Sequence, residues 1–251
     1  MSGCIYLTDL DDTLFRSITK HSDPVGLSRV TTATNGHHGH MNSAQRGLFA
    51  ALRATGSVIP VTARSSEAFE RVHLDFGTRR AVLSNGAVIR DEAGVPDPDW
   101  SSHTASIGRR FEPLFAEMSA LIGSEFGTAA RSWVVTEQGA SVYFCVKMNA
   151  SEARVIRDGI LCARNLLTAK LNLSEMWGHV NGNNLSLIPI GISKREACAH
   201  LIEQLGDRGG APLIGLGDSL TDLSFMELCD FMMIPSQSQI AGLISSKEPF
   251  R

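Results

Sequence analysis

The sequence of 251 residues contains no long hydrophobic run, no closely spaced pair of cysteines and little excess of either charge. No stretch approaches the roughly 20 apolar residues that a membrane-spanning helix needs, and no basic region followed by an apolar stretch indicates a signal peptide. The five cysteines are odd in number and widely spaced, which favours reduced thiols over a disulfide framework. A formal net charge of −3 argues against non-specific binding of nucleic acid, which relies on clustered positive charge. These absences predict a soluble, cytoplasmic protein that binds neither nucleic acid nor membrane.

Short apolar runs alternate with helical patterns towards both ends of the chain. The apolar runs predict strands near residues 4–9, 57–61, 80–84, 212–216 and 230–234. The amphipathic patterns predict helices near residues 43–55, 65–76, 193–206 and 219–229. Such alternation is typical of an α/β fold in which helices flank a parallel sheet.

The middle of the chain has a different pattern, in which one helix and two strands occur twice. The first set is predicted at 104–122, 131–137 and 140–148, and the second at 151–169, about 171–178 and 183–188. The unit of one helix and two strands therefore occurs twice between the two α/β parts of the sequence.

Two carboxylates follow the first predicted strand. Asp9 and Asp11 come directly after the apolar run Ile5–Leu7, and strand alternation places them on one side of the chain. Open α/β sheets bind ligands at the carboxyl ends of their parallel strands. One carboxylate can therefore act as a nucleophile while the other exchanges a proton, although a solvated acidic turn explains this short motif equally well.

Three later segments place further polar groups at element ends. Thr62 follows the strand at 57–61, where it is either a functional hydroxyl or a helix cap. Lys194 falls in the first turn of a predicted helix, where a lysine is not favoured by the helix dipole and so indicates a nearby anion, unless it is a surface residue. Asp218 follows the strand at 212–216, and Ser219 with Asp222 has the spacing of a capping box.

The four segments resemble the motifs of the haloacid dehalogenase (HAD) superfamily of phosphohydrolases. Their order is D-x-D-x-T, strand-end Thr, Lys and G-D-x-x-x-D, and the Asn-Gly-Ala within 83–87 is similar to the Cof-type and sucrose-phosphatase-like members. The resemblance implies a Rossmann-like parallel-sheet HAD core at 1–87 and 186–251. It also implies an inserted α+β cap domain at 88–185 that selects the substrate.

The resemblance assigns the chemical roles. Asp9 would be the nucleophile that forms an aspartyl-phosphate, and Asp11 the acid and base that serves the leaving oxygen and the water. Thr62 would hydrogen-bond a phosphoryl oxygen, and Lys194 would offset the charge of Asp9 and of the phosphate. Asp9, the backbone carbonyl of Asp11 and Asp218 would hold one Mg²⁺, a hard cation that prefers oxygen ligands.

Other residues are expected to support this chemistry. Asp222 would orient either a water on the metal or Lys194, and Thr13 would brace the catalytic loop. Thr221 stands where many relatives have Asn, so a contact made by that Asn is absent or shorter here. The candidate substrate contacts, each also explained as a surface or turn residue, are Arg64, Asn85, Lys147, His179 and Asn181.

The favoured function is hydrolysis of a small phosphorylated metabolite, with sugar phosphates suggested by analogy. A phosphomutase would need a cationic phosphate site in the cap, and the sequence shows no such cluster, since Arg109 and Arg110 are explained as surface residues. A catalytically silent HAD-fold binding or regulatory module is the alternative outside catalysis.

The polar segment 17–42 is predicted to be a mobile, solvated loop beside the active site. It contains His37, His38 and His40. Three histidines can bind a transition metal, but no Cys or carboxylate lies at ligand spacing to support that interpretation.

Overall fold

We describe a computed structural model of the chain over residues 3–34 and 36–245. The chain forms two compact units. Unit 1 comprises the residues up to Asp97 and those from Lys194 onward, and unit 2 comprises Pro98–Ser193.

The elements follow one another along the chain in an order that matches the predicted alternation. The strands are β1 Cys4–Thr8, β2 Arg16–Ser17, β3 Ser28–Arg29, β4 Gly39–Met41, β5 Gly56–Pro60, β6 Ala81–Leu83, β7 Val88–Arg90, β8 Ala130–Glu137, β9 Ala140–Met148, β10 Met176–Asn181, β11 Asn184–Pro189, β12 Leu213–Leu216 and β13 Phe231–Met233. The α-helices are α1 Ser43–Thr55, α2 Ser66–Phe69, α3 Pro98–Phe126, α4 Ala153–Lys170, α5 Lys194–Leu205, α6 Leu220–Met226 and α7 Gln239–Ser245.

Unit 1 is built on a parallel sheet with the strand order β13-β12-β1-β5. The central strand β1 pairs with β12 through Leu7 and Gly215, and with β5 through Leu7 and Ile59. Its residues are apolar on both faces, as expected for a strand covered on both sides, and Tyr6 packs in the core with Val58 and Leu216. The predicted α/β class of the fold is therefore confirmed.

The third predicted strand of the sheet is held differently. β6 pairs antiparallel with β7, and it joins the main sheet through a single parallel bridge between Val61 and Val82. This hairpin keeps residues 88–90 in unit 1, whereas the pairing of β11 with β9 and β10 keeps 184–189 in unit 2. The two compact units thus divide at residues 98 and 193, and the cap boundaries at 88 and 185 stay a prediction.

The segment predicted as a solvated loop at 17–42 instead contains a small antiparallel sheet in the order β2-β4-β3. Its ends are anchored because Phe15 and Met41 are buried in the same core cluster as Tyr6. Ala33 donates its backbone N–H to His38 Nδ1 at 3.0 Å, and His40 Nδ1 lies 3.0 Å from the carbonyl oxygen of His38. Among the residues described, these histidines form no cluster suited to a metal ion.

A second difference concerns the helix predicted at 65–76, which ends at Phe69. Val72 forms a bridge with Thr31, and His73 donates its N–H to the carbonyl oxygen of Val30 at 2.8 Å. Pairing with the small sheet therefore overrides the helical pattern of the local sequence.

Unit 2 is an α+β module with an antiparallel sheet in the order β10-β11-β9-β8. Both long helices, α3 and α4, pack against one face of this sheet, where Phe115 and Ile160 meet Phe144, Val146 and Leu187. The hairpin between β8 and β9 turns at Gln138 and Gly139, both with positive φ. The helix–hairpin repeat expected from the sequence is thus present. No helix among the described residues combines the length and apolar character that crossing a membrane requires.

Candidate active site

The carboxyl ends of three neighbouring strands bring the predicted motifs of unit 1 together. Asp9 follows β1 and donates its backbone N–H to the carbonyl oxygen of Leu216 on β12 at 2.8 Å. On the other side, Val61 donates its N–H to the carbonyl oxygen of Thr8 at 2.7 Å, which places Thr62 beside the end of β1. The sheet therefore delivers Asp9, Thr62 and the loop that follows β12 to one edge.

Lys194 lies at the centre of this edge and connects two carboxylates. Its Nζ is 2.7 Å from Asp9 Oδ1 and 2.6 Å from Asp222 Oδ1, and its side chain is only 6% exposed. Burial alone lowers the pKa of Lys194, but the charges of Asp222 and Asp9 outweigh it and raise the pKa above its usual value. Lys194 is the first residue of α5, as predicted, and is held as a cation.

Asp222 is fully buried, and both of its carboxylate oxygens have partners. Oδ1 accepts from Lys194, while Oδ2 accepts from the Ser219 hydroxyl at 2.6 Å and from the Ser219 backbone N–H at 3.0 Å. Burial raises the pKa of Asp222, but Lys194 and these hydrogen bonds outweigh burial, so the pKa is lowered. Of the two tasks considered for Asp222, the structure shows the contact with Lys194.

Two residues of the loop that follows β12 make close local contacts. The Thr221 hydroxyl lies 2.9 Å from the Ser219 hydroxyl, so it is directed into the loop. Gly217 is required by close packing, because a Cβ at this position would lie 2.4 Å from the Cβ of Asp222. The loop therefore approaches Asp222 more closely than a larger residue would allow.

Asp9 and Asp218 converge on the hydroxyl group of Thr13. Thr13 Oγ1 lies 3.2 Å from Asp9 Oδ2 and 3.4 Å from Asp218 Oδ1. Carboxylate oxygens of Asp9, Asp218 and Asp222 lie within 4.8 Å of one another. Both oxygens of Asp222 are held by Lys194 or Ser219, whereas Asp9 Oδ2 and Asp218 Oδ1 share only the Thr13 hydroxyl. These two oxygens fit a divalent cation better, and their role as metal ligands stays a prediction. The contribution of the Asp11 backbone carbonyl stays a prediction.

Burial and neighbouring negative charges raise the pKa values of Asp9 and Asp218. Burial raises the pKa of Asp9 well above its usual range, and Lys194 offsets this only in part. Burial and the charge of Asp222 raise the pKa of Asp218 to about 6. An all-oxygen site with excess negative charge suits a hard cation such as Mg²⁺.

Arg64 forms a bidentate ion pair with Asp11. Its Nε is 2.7 Å from Asp11 Oδ2, and its terminal nitrogen Nη2 is 2.8 Å from Asp11 Oδ1. The guanidinium lies 5.2 Å from the ring centroid of Phe15, and the side chains of Arg64 and Asp11 are 19% and 46% exposed. Burial lowers the pKa of Arg64, but the hydrogen bonds and charge of Asp11 outweigh it and raise that pKa. The sequence predicted a substrate contact for Arg64. In the structure its guanidinium instead contacts Asp11, the candidate general acid and base.

A tight turn after β6 braces the Thr62 segment. Ser84 and Asn85 both have positive φ, and their N–H groups donate to the carbonyl oxygens of Arg64 at 2.8 Å and Thr62 at 3.2 Å. Thr62 Oγ1 accepts from the Arg64 backbone N–H at 3.2 Å, which leaves the hydroxyl proton able to donate elsewhere. Asn85 therefore supports the site through its backbone, and its predicted substrate contact stays a prediction.

The sequence analysis missed one residue that holds the loop around Asp218. Gln239 Oε1 accepts from the backbone N–H of Leu220 at 2.9 Å, and Ile240 donates its N–H to the carbonyl oxygen of Asp218 at 3.1 Å. The start of α7 thus holds both sides of the Asp218 loop. No local motif marks Gln239, because its partners are distant in the sequence.

Solved structures that share this α/β arrangement match nearly the whole chain. The predicted fold is therefore confirmed. No family model matches the chain, and no curated protein matches it.

Three solved structures give the same TM-score of 0.59. The C-terminal domain of trehalose-6-phosphate phosphatase from C. albicans is 12% identical, and the match covers 100% of this chain and 79% of that one. The sucrose-phosphatase of Synechocystis, solved with sucrose and phosphate, is 13% identical with coverage of 99% and 88%. A protein of Thermoplasma acidophilum is 14% identical with coverage of 98% and 91%. At these identities, the similarity establishes the fold.

Proposed function

We propose that the protein is a Mg²⁺-dependent phosphomonoester hydrolase that acts on a small phosphorylated metabolite. The observation that carries this proposal is the buried Asp9–Lys194–Asp222 cluster, which lies next to Asp218 at the carboxyl edge of the parallel sheet. The fold shared with a sucrose-phosphatase and a trehalose-6-phosphate phosphatase supports this activity and suggests a sugar phosphate as substrate.

The reaction would proceed in two displacements at phosphorus. An oxygen of Asp9 forms a bond to phosphorus while the bond to the leaving oxygen breaks, and Asp11 gives that oxygen a proton. A water molecule then attacks the aspartyl-phosphate, Asp11 takes its proton, and the bond between Asp9 and phosphorus breaks to release inorganic phosphate. Covalent catalysis of this kind divides one difficult step into two easier ones.

The surrounding residues would stabilise charge during both displacements. The Lys194 ammonium offsets the negative charge of Asp9 and of the phosphoryl group. The Thr62 hydroxyl, which accepts from the Arg64 backbone N–H, is able to donate a hydrogen bond to a phosphoryl oxygen. Asp9 and Asp218 would hold Mg²⁺, which supplies positive charge that lets a carboxylate approach a phosphate dianion. Preorganised electrostatics of this kind carry most of the catalysis in phosphoryl transfer.

Hydrolysis of p-nitrophenyl phosphate with MgCl₂ or with EDTA tests this function. We expect turnover with Mg²⁺ and loss of turnover with EDTA, because the crowded carboxylates otherwise repel the substrate. Restoration by added Mg²⁺ controls for damage by the chelator. No turnover of this ester or of any member of a sugar-phosphate panel would instead favour a catalytically silent binding module.

Product analysis separates the hydrolase from a phosphomutase. With a sugar phosphate that is consumed, we expect one equivalent of inorganic phosphate for each substrate molecule lost. An isomeric sugar phosphate formed without release of phosphate would contradict the hydrolase proposal.

Replacing Arg64 with Gln should lower kcat by about 10- to 100-fold with little change in KM, because the bidentate pair orients the acid and base Asp11. Arg64→Lys keeps the charge but cannot form the two parallel hydrogen bonds to Asp11, so we expect its kcat to lie between those of Arg64→Gln and the wild type. Stability should change by no more than about 1 kcal/mol, since the ion pair is partly exposed.

The matched control for Arg64 is Arg71→Gln, which removes an arginine paired with the exposed carboxylate of Glu67. We expect its kinetics to equal those of the wild type. A raised KM with an unchanged kcat in Arg64→Gln would contradict the positioning role and support the direct substrate contact that the sequence predicted.

A further inference from the structure

A cavity of about 330 Å³ lies in unit 1 beside the loop that carries Thr13. Three segments form most of its wall, namely residues 13–16, the start of α1 at 42–48, and the end of β13 with the chain that follows at 233–237. Asp9, Asp218 and Lys194 are not among the lining residues. The Thr13 hydroxyl contacts Asp9 and Asp218 at 3.2 and 3.4 Å, so the cavity is a neighbour of the candidate active site and not a part of it.

Arg16 carries the one charge on the wall of this cavity among the residues described. Its terminal nitrogen Nη2 donates to the carbonyl oxygen of Gln237 at 3.2 Å. It forms no ion pair within residues 3–34 and 36–245. A carbonyl oxygen satisfies one of the five N–H donors of a guanidinium but does not neutralise its charge. The wall therefore holds an uncompensated positive charge that favours one anionic group.

A single arginine also selects the kind of anion. Its guanidinium presents two parallel N–H groups that match the two oxygens of a carboxylate. One positive charge balances a monoanion, whereas a phosphate dianion would add an unbalanced negative charge next to the loop that already contacts Asp9 and Asp218. The cavity is therefore better suited to a carboxylate than to a phosphate.

Apolar side chains form much of the remaining wall. Leu48 on α1 and Met233 at the end of β13 are 36% and 38% exposed, and Ile234 and Pro235 follow Met233 along the wall. Solvent-facing apolar groups of this kind gain free energy when a ligand covers them. The volume lies at the small end of the range of about 300–1,000 Å³ for ligand pockets. A small ligand with one carboxylate and an apolar body matches these features together.

Gln45 adds a hydrogen-bonding group to the same wall. It precedes Leu48 by three residues on α1, so the two side chains lie on one face of the helix. Its Oε1 accepts from the Asn42 backbone N–H at 3.1 Å, and its amide nitrogen is able to donate to a ligand oxygen.

We propose that this cavity binds a small monocarboxylate, with Arg16 on the carboxylate and with Leu48 and Met233 against the apolar body. The proposal does not depend on phosphatase activity, since none of the proposed catalytic or metal-binding residues takes part in it. The sequence pattern does not reveal the site, because its walls come from three distant segments of the chain.

Isothermal titration calorimetry of the full-length protein in EDTA tests the proposal, because the chelator prevents the carboxylate from binding to a metal ion at Asp9 and Asp218. The probes are phenylacetate, the uncharged and nearly isosteric phenylacetamide, and acetate, which has the charge without the ring. We expect saturable binding of one phenylacetate, and binding of the other two probes that is weaker by about tenfold or more. Titration at two temperatures prevents a vanishing enthalpy at one of them from hiding the binding. Equal binding of phenylacetate and phenylacetamide, or no saturable binding of phenylacetate, would overturn the proposal.

Arg16→Gln locates the carboxylate, and it should weaken phenylacetate binding by about tenfold or more. Arg29→Gln is the matched control, because Arg16 and Arg29 pair with His40 from opposite sides of β4. Arg29 also donates to an uncharged oxygen, the carbonyl of Thr31 at 3.1 Å, but it does not line the cavity. Binding by Arg29→Gln should equal that of the wild type, and equal weakening in both variants would contradict the proposed site.

Ala44→Glu is a second test that leaves Arg16 in place. Ala44 lines the cavity in the first turn of α1, where an acidic residue is favoured by the helix dipole, so the variant should fold with an unchanged or higher Tm. Its new carboxylate competes for Arg16, and phenylacetate binding should fall by about tenfold or more. Ala44→Gln has the same size without the charge and should bind phenylacetate more tightly than Ala44→Glu. Equal affinities of these two variants, or wild-type affinity in Ala44→Glu, would show that Arg16 does not hold the carboxylate.

Discussion

Asp9→Asn is expected to remove turnover of p-nitrophenyl phosphate, with a loss of at least about 10³-fold. Asparagine is nearly isosteric with aspartate, but its amide oxygen is a far poorer nucleophile. The loss should appear in kcat and not in KM alone, because the missing group forms the bond to phosphorus.

The fold of Asp9→Asn should survive. Burial raises the pKa of Asp9, so the ionised carboxylate is itself unfavourable there, and Lys194 keeps its contact with Asp222 in the variant. Thermal unfolding monitored by circular dichroism would verify a folded protein. Asp75→Asn is the matched control, because the Asp75 side chain is 91% exposed, and it should keep full activity. Wild-type turnover by a folded Asp9→Asn protein would exclude Asp9 as the nucleophile.

The positions of the candidate catalytic residues could be predicted because strand ends are locally encoded. Apolar runs that end in Asp9, Thr62 and Asp218 specify strands of a parallel sheet, and the carboxyl ends of such strands meet at one edge. The capping pattern likewise placed Lys194 at the start of α5. Patterns of this kind depend on neighbours within a few residues, so they are visible without a structure.

The partners of those residues could not be predicted, because they depend on contacts between distant segments. The pair of Arg64 with Asp11 joins two strand ends, and the cap that Gln239 provides for α6 joins the starts of two helices. The like-charged neighbours Arg131 and Lys147 meet only through the register of β8 and β9. No periodicity in the sequence encodes these pairings.

Two errors in the predicted fold have the same origin. The pattern at 65–76 is helical, but pairing of Val72 with Thr31 ends α2 at Phe69. The polar composition of 17–42 indicated a loop, but burial of Phe15 and Met41 anchors a small sheet there. Tertiary contacts overrode local propensity in both cases.

Replacing Lys194 with Met should remove activity and destabilise the protein by about 3–5 kcal/mol at neutral pH. Methionine preserves much of the apolar stem, but Asp9 and Asp222 then lose their shared cation in a buried site. Without Lys194, burial raises the pKa of both carboxyl groups in the folded state above their unfolded values. Stability is therefore retained at pH values below the unfolded pKa and is lost as the pH rises through the raised folded pKa. Urea unfolding at a series of pH values measures this dependence.

Two variants make the Lys194 result specific. Adding Asp222→Asn to Lys194→Met removes one of the uncompensated charges, so the double variant should recover part of the lost stability at neutral pH while remaining inactive. Arg195→Met, on the same helix but 43% exposed and paired with Glu227, should change the free energy of unfolding by no more than about 1 kcal/mol. A Lys194→Met protein as stable as the wild type at every pH would show that the two carboxylates do not depend on Lys194. The buried charge cluster would then have to be held by other groups, and the proposed electrostatic basis of the site would be wrong.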